Sequence, residues 1–232
     1  MNPLPCLVLL SVFSVTNPET GNIDRSSNDP LKCDGKNCEI IDTFSNCTSM
    51  SNRVPCGWRP TQNNVGMFSV LQEQGNFFVK IRTRGGNTTI GTKCRFKPSD
   101  FRFLNWKWRV VQLPLGARED KRDKSDSGAG VYVIFHGTLR LNHIIKYVWS
   151  STLESGTVIQ SPFNRRARII VLNNGTKDAG KWMAVKVDIY EDYKRVFKNI
   201  PPEVDVIAFM SDSDNTRSLA EADYDDFYIS SY

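Results

Sequence analysis

Eleven short runs rich in Val, Ile, Thr and aromatic residues follow one another from residue 65 to residue 229, separated by Gly, Pro, Asn, Asp and Ser. They cover 65–71, 76–82, 88–96, 106–113, 130–135, 144–150, 157–161, 167–172, 182–188, 204–210 and 222–229. β-Branched and aromatic side chains fit a pleated, half-buried surface, and the intervening residues are those that turn a chain. The residues 73–75 (Glu-Gln-Gly) between the first two runs read as a hairpin turn. Only 189–197 (IYEDYKRVF) has helical spacing, with Tyr193, Val196 and Phe197 on one stripe and Pro201-Pro202 blocking extension. So many strands with one short helix predict an all-β fold, an antiparallel two-sheet β-sandwich. WKWRV shows the alternation such a sheet needs: Trp106, Trp108 and Val110 point one way, Lys107, Arg109 and Val111 the other.

The 232 residues include 40% apolar and 24% charged residues, with 13 Phe, 7 Tyr and 5 Trp, enough to build a sizeable core. No apolar stretch reaches the ~18 residues of a membrane-spanning helix. Residues 7–15 (LVLLSVFSV) form a short apolar run followed by Thr16-Asn17-Pro18, so 1–15 reads as a signal peptide and the expected location is exported: periplasm, cell envelope or extracellular space. Residues 16–38 are rich in Asn, Ser, Asp and Gly without periodicity and read as a flexible linker, which leaves 39–232 as a single domain. The cysteines cluster early. Cys33 and Cys38 bracket a turn sequence, and Cys47 and Cys56 could close a second loop, so disulfides are expected near the N-terminus; Cys94 is left over if Cys6 leaves with the signal peptide. The net charge of +5 is uneven, with ten Lys or Arg against four acids over 93–124 and eight acids against Arg217 alone over 203–226. The basic stretch alternates with aromatics as single-strand binders do, but expected export and the acidic C-terminal third argue against a nucleic-acid partner.

The segments NWKWRVVQLPLG, GVYVIF, KYVWSS and IAFMSDSDNT, then AEADYDDFYIS, resemble a bacterial family known as a domain of unknown function (family 3047). The order and spacing correspond over 42–229, and the SDSDNT-to-YDDF part is the most specific. The resemblance implies an exported bacterial protein and brings no catalytic residues with it. One departure concerns the paired aspartates the family carries before its Val-Tyr-Val strand; here Asp126-Ser127 stands instead, which puts an acidic site at that place in doubt. More loosely, Ile41-Asp42-Thr43-Phe44 and the final Asp225-Asp226-Phe227-Tyr228-Ile229 resemble the end strands of galactose-binding-like jelly rolls. That group includes carbohydrate-binding modules, which often hold a structural calcium between first and last strands.

Three constellations could carry chemistry. Calcium takes carboxylate and carbonyl oxygens from irregular loops. Asp212, Asp214, Asn215 and Thr216 supply one such set, and Asp42 with Asp225 or Asp226 another; adjacent residues on a strand face opposite ways, so only one of that last pair, here Asp226, is counted. An Asx-rich turn is the alternative reading. A sugar site needs aromatic faces and planar polar groups: Trp58, in a Cys-Gly-Trp-Arg-Pro loop, and Tyr147 and Trp149, which share a strand face opposite Lys146, are the candidate platforms. Arg165, Arg166 and Arg168 after a Pro-Phe-Asn turn could hold the acidic groups of an anionic glycan. For catalysis there are only two His, His136 and His143, which with Arg140 and Tyr147 could imitate a polysaccharide lyase's base and uronate-neutralising arginine. The favoured expectation is a non-catalytic module binding an oligo- or polysaccharide, with calcium as the one cofactor considered. The alternatives are a polysaccharide-cleaving enzyme, of lyase or glycosidase type, and an envelope protein with a protein partner.

Overall fold

The structure, a computed structural model, describes residue 33 and residues 37–45, 54–61, 65–138 and 141–232. The expected signal peptide, most of the expected linker, Cys47 and Arg140 lie outside these residues. The strands are β1 (Cys38–Asp42), β2 (Arg59–Pro60), β3 (Phe68–Glu73), β4 (Asn76–Arg84), β5 (Asn87–Phe96), β6 (Phe103–Gln112) and β7 (Ala129–Phe135). They continue with β8 (His143–Ser150), β9 (Val158–Gln160), β10 (Ala167–Asn174), β11 (Met183–Asp188), helix α1 (Ile189–Phe197), β12 (Val204–Asp212) and β13 (Leu219–Ser230).

They form two sheets. The first runs β11-β6-β13-β4-β3 with β1 also on β13, and the second runs β2-β5-β12-β7-β8-β10-β9. The quartets β4-β13-β6-β11 and β5-β12-β7-β8 are filled by a chain that changes sheet at β4→β5, β5→β6, β6→β7, β10→β11, β11→β12 and β12→β13, the winding of a jelly roll. The expected all-β, two-sheet sandwich is what the chain forms. One pairing departs from the expectation of antiparallel strands: β10 runs parallel to β8. The hairpin at 73–75 is present, with Glu73 opposite Asn76 and the loop residues Gln74 and Gly75 both at positive φ (50° and 82°), the turn that matches strand twist.

Large rings meet between the sheets. Trp106 and Trp108 of β6 point inward and meet Tyr147 and Trp149 of β8 at ring-centre distances of 5.9 and 6.0 Å. Trp58 packs on Phe209 (4.8 Å) and Phe44 (5.8 Å). Each ring hidden this way removes roughly 150–250 Å² from water, on the order of 4–6 kcal/mol of transfer free energy at about 25 cal/mol per Å². Tyr224 of β13 crosses the core: its hydroxyl donates to the Met210 carbonyl of β12 and accepts from the Gly130 amide of β7, at 3.0 Å for the latter. The N-terminal staple is present as the Cys33–Cys38 disulfide, which ends at β1 where Cys38 lies opposite Ser230. Cys56 is also disulfide-bonded. Cys94 is a free, half-buried thiol, pushed up to about 11 by burial and then by Glu39.

Candidate functional site

The outward face of the second sheet carries a groove, and strand register shows what builds it. One rung crosses six strands: Arg59 (β2), Gly91 (β5), Ala208 (β12), Tyr132 (β7), Lys146 (β8) and Ile169 (β10). The next rung is Lys93, Val206, Ile134, Ile144 and Ala167. With strands about 4.8 Å apart, the first rung spans about 24 Å. Two adjacent small residues, Gly91 and Ala208, make a low floor beside the standing ring of Tyr132. A Cβ at Gly91 would lie 3.2 Å from that of Ala208. A cavity of about 660 Å³ results, and a second of about 220 Å³ continues it past Tyr132 and Ile144 toward Phe163, Asn164 and Asp212. Tyr132 is half-buried, and Phe163, in the turn between β9 and β10, is 55% exposed.

Lys146 lies along this groove, 7% exposed, its Nζ donating to Ser127 Oγ at 3.1 Å and standing 5.5 Å from the Tyr132 ring centre. Burial alone would lower the ammonium's pKa, but Tyr132, Asp212 and Glu119 outweigh it and the net shift is upward.

Beside Lys146 three carboxylates converge. Asp126, Asp212 and Asp214 each bring one oxygen within 4.8 Å of the other two. Asp126 accepts the amides of Asn215 (3.1 Å) and Thr216 (2.7 Å) and the Thr216 hydroxyl (2.6 Å). Asp212 accepts the Asp214 amide at 3.2 Å, and the Asn87 side chain donates to Asp214. Burial, then Asp126 and Asp214, push the Asp212 carboxyl up to about 7 against the pull of Lys146. This group of oxygens could hold a metal ion. Sequence reasoning placed Asp212, Asp214, Asn215 and Thr216 here but missed Asp126, which it took for the remnant of a lost pair. The long connection from β7 back to β12 hides that partnership.

The other predicted calcium residues stand apart from this set. Asp42 is occupied in fastening the core: its Oδ1 accepts the Phe44 amide and its Oδ2 the Trp58 indole N–H, both at 2.7 Å. Asp226 pairs with Lys107 at 3.1 Å, and Asp225 accepts from the Asn76 side chain.

The predicted sugar platforms are corrected by burial. Trp58 is 5% exposed, and Tyr147 and Trp149 are fully buried. Tyr147 donates to Asp192 (2.9 Å) and Trp149 to the Gly175 carbonyl (3.0 Å). The alternation in β8 is as expected, but the faces are exchanged: the rings fill the core and Lys146 faces the groove. Tyr132 and Phe163, which sequence reasoning missed, are the rings on the groove; the alternation Val131, Val133, Phe135 inward was the available signal for Tyr132. Trp182, half-buried on the outer face of the first sheet, packs on Arg109 (4.6 Å) and Phe78 (5.6 Å).

Arg165 and Arg166 are exposed in the turn that carries Phe163, whereas Arg168 bends away, bonding the Arg165 carbonyl (2.9 Å) and covering the Phe197 ring (5.3 Å). The two histidines have separate partners. His136 meets Asp205 at 2.8 Å. His143 is stacked on Phe197 at 4.2 Å and bonded to the Tyr193 hydroxyl at 2.7 Å; burial, then Arg166 and Arg168, lower its pKa. Among the described residues no helix is long and apolar enough to cross a membrane.

Several known structures share the outline at low sequence identity. The family 11 carbohydrate-binding module of a cellulosomal cellulase of Clostridium thermocellum is 9% identical, covering 83% of this chain and 93% of that one, with a TM-score of 0.44. A family 27 module of Caldicellulosiruptor saccharolyticus, in complex with mannohexaose, is 12% identical over 84% and 97% with a TM-score of 0.41. The xyloglucanase domain of NopAA from Sinorhizobium fredii is 12% identical over 75% and 87% with a TM-score of 0.40. No curated protein matches the sequence. A family described as "Protein of unknown function (DUF3047)" matches residues 57–228, nearly the whole sandwich, and the chain belongs to that family.

Proposed function

We propose that this is an exported, non-catalytic module that binds an oligo- or polysaccharide in the groove of the second sheet. The observation that carries the reading is the Tyr132 ring standing beside the Gly91–Ala208 floor, with exposed Phe163 at the far end. An aromatic face receives the apolar side of a sugar ring, and a trench of this breadth accepts a chain rather than a single residue. Thr89, Thr92 and Asn164 on its walls offer partners for hydroxyls. Export rests on the apolar run 7–15 followed by polar residues. Affinity electrophoresis in gels containing polysaccharide tests the reading. Tyr132→Ala is expected to abolish retardation while the chain still unfolds in one cooperative transition, and retardation of wild type and variant alike would refute the reading.

Calcium at Asp126, Asp212 and Asp214 is part of the proposal, with a structural role: it would tie the 126–127 segment to the loop after β12. Added calcium is then expected to raise the melting temperature and chelator to lower it, in wild type but not in Asp126→Asn/Asp214→Asn. Equal melting with calcium and with chelator would remove the ion from the proposal.

One observation favours the lyase alternative. Burial, then Arg166 and Arg168, lower the pKa of His143, and it touches the Tyr193 hydroxyl, an imidazole with arginines at hand. It lies on the strand face opposite Ile144 and the groove, which is why binding is preferred. A lyase leaves unsaturated ends that absorb ultraviolet light; their appearance with wild type and absence with His143→Ala would establish cleavage. A protein partner gains ground if no polysaccharide retards the chain.

A further inference from the structure

The cations of the two outer faces are treated differently. On the first sheet the acids of β13 lie between the bases of β4 and β6. There Lys80 and Arg82 pair with Glu221, at 2.6 and 3.2 Å, and Lys107 pairs with Asp226 at 3.1 Å. Arg109 pairs with Glu73 at 3.0 Å and with Asp223 at 2.8 Å. Along the groove of the second sheet the pattern breaks. Arg59 and Lys93 line the larger cavity at one end. At the other end Arg122 lies 5.0 Å over the Phe163 ring, and Arg165 and Arg166 follow in the same turn. Among the described residues none of these five makes an ion pair. Among the described residues that line the two cavities the one carboxylate is Asp212, which sits beside Lys146.

Unpaired cations at both ends of a trench are a distribution of charge that costs the free protein self-repulsion and is relieved by a negatively charged occupant. The spacing matters as much as the sign. The two groups lie across the sheet's breadth, and the wall between them is apolar along Gly91, Ala208, Tyr132, Ile134 and Ile144, with Lys146 and Asp212 as a neighbouring cation and acid beyond Tyr132. A ligand matching this arrangement carries repeated acidic groups on a backbone whose rings can lie on Tyr132. We infer that the groove takes an anionic glycan, a polymer bearing carboxylate or sulfate groups, long enough to reach both basic ends. The inference rests on the glycan-binding reading above and adds the ligand's class.

Matched probes separate the two. The purified chain is run in native gels containing polygalacturonate or its methyl ester, and dextran sulfate or dextran; each pair shares a backbone and differs in charge. Retardation by polygalacturonate but not its ester assigns carboxylates, and retardation by dextran sulfate but not dextran assigns sulfates. The apparent Kd is expected to rise at least tenfold in Arg59→Glu/Lys93→Glu and in Tyr132→Ala. Lys177→Glu, an exposed charge away from the groove, is expected to bind as wild type does. Equal retardation by charged and neutral partners overturns the inference and leaves the glycan reading standing. Retardation by polyanions that survives both groove variants, or that single-stranded DNA reproduces with the same losses, shows attraction without a glycan site and overturns it. No retardation by any polymer refutes both readings.

Discussion

Asp225 is 1% exposed, and burial, then Asp226, push its carboxyl up to about 7 against the pull of Asn76 and Lys107. An unfolded aspartate titrates near 3.9, so between these values the folded chain binds a proton that the unfolded chain does not. The sign follows: stability rises as pH falls through about 7, and above it the charged carboxylate costs on the order of a few kcal/mol. Denaturant midpoints are expected to rise for wild type from pH 8 to pH 5. Asp225→Asn is expected to be more stable than wild type at pH 8 and to flatten that rise; an unchanged slope would show the titrating group to be another. Residues of this kind explain what the sequence could and could not disclose. The alternation in β8 and in WKWRV was legible, because a strand's side chains alternate whatever it packs against. Which face met the other sheet was not, since that depends on Trp106 and Trp108 arriving opposite Tyr147 and Trp149 from a strand some 40 residues away. Lys146 was therefore read as the back of a platform when it faces the groove.

At the level of elements, helix α1 had a clear signature, and its ends supply a pair of opposed predictions. Asp188 caps its start, accepting the Glu191 amide at 3.0 Å. Asp188→Ala is expected to cost about 1–2 kcal/mol, read as a lower melting temperature. The helix stops at Lys198, whose φ of 57° is left-handed, before the prolines that seemed to end it. Lys198→Gly is expected to stabilise the fold by about 0.5–1 kcal/mol, because glycine takes that conformation without a Cβ penalty. A loss in the second variant would show the lysine side chain to matter more than its backbone. Strand order was less legible. The runs that became β8, β9 and β10 were legible as strands but not in their order: the chain passes to the outer position with β9 and returns between, giving the order β8-β10-β9 and the parallel pair in place of the expected antiparallel one. Turn residues mark where a chain reverses, not how far it travels first.

For the whole molecule, the uneven charge of the sequence resolves into a difference between faces. The acidic C-terminal strand lies between basic strands and neutralises them, so the segment contrast seen in one dimension largely disappears on the first sheet and survives only along the groove. The likeness of the end strands to galactose-binding jelly rolls anticipated the winding, yet the acidic site formed at the other end of the register, around Asp126. Beneath the groove, Tyr224 has a kinetic consequence. The Gly130 amide gives its hydrogen to a phenol anchored in the opposite sheet. Deuterium can replace that hydrogen only when the sheets part, so its exchange should be among the slowest in the chain and should track global unfolding. In Tyr224→Phe the same amide should exchange through local opening, orders of magnitude faster, while its strand neighbours keep their protection. One hydrogen would then serve as a clock for the separation of the two layers.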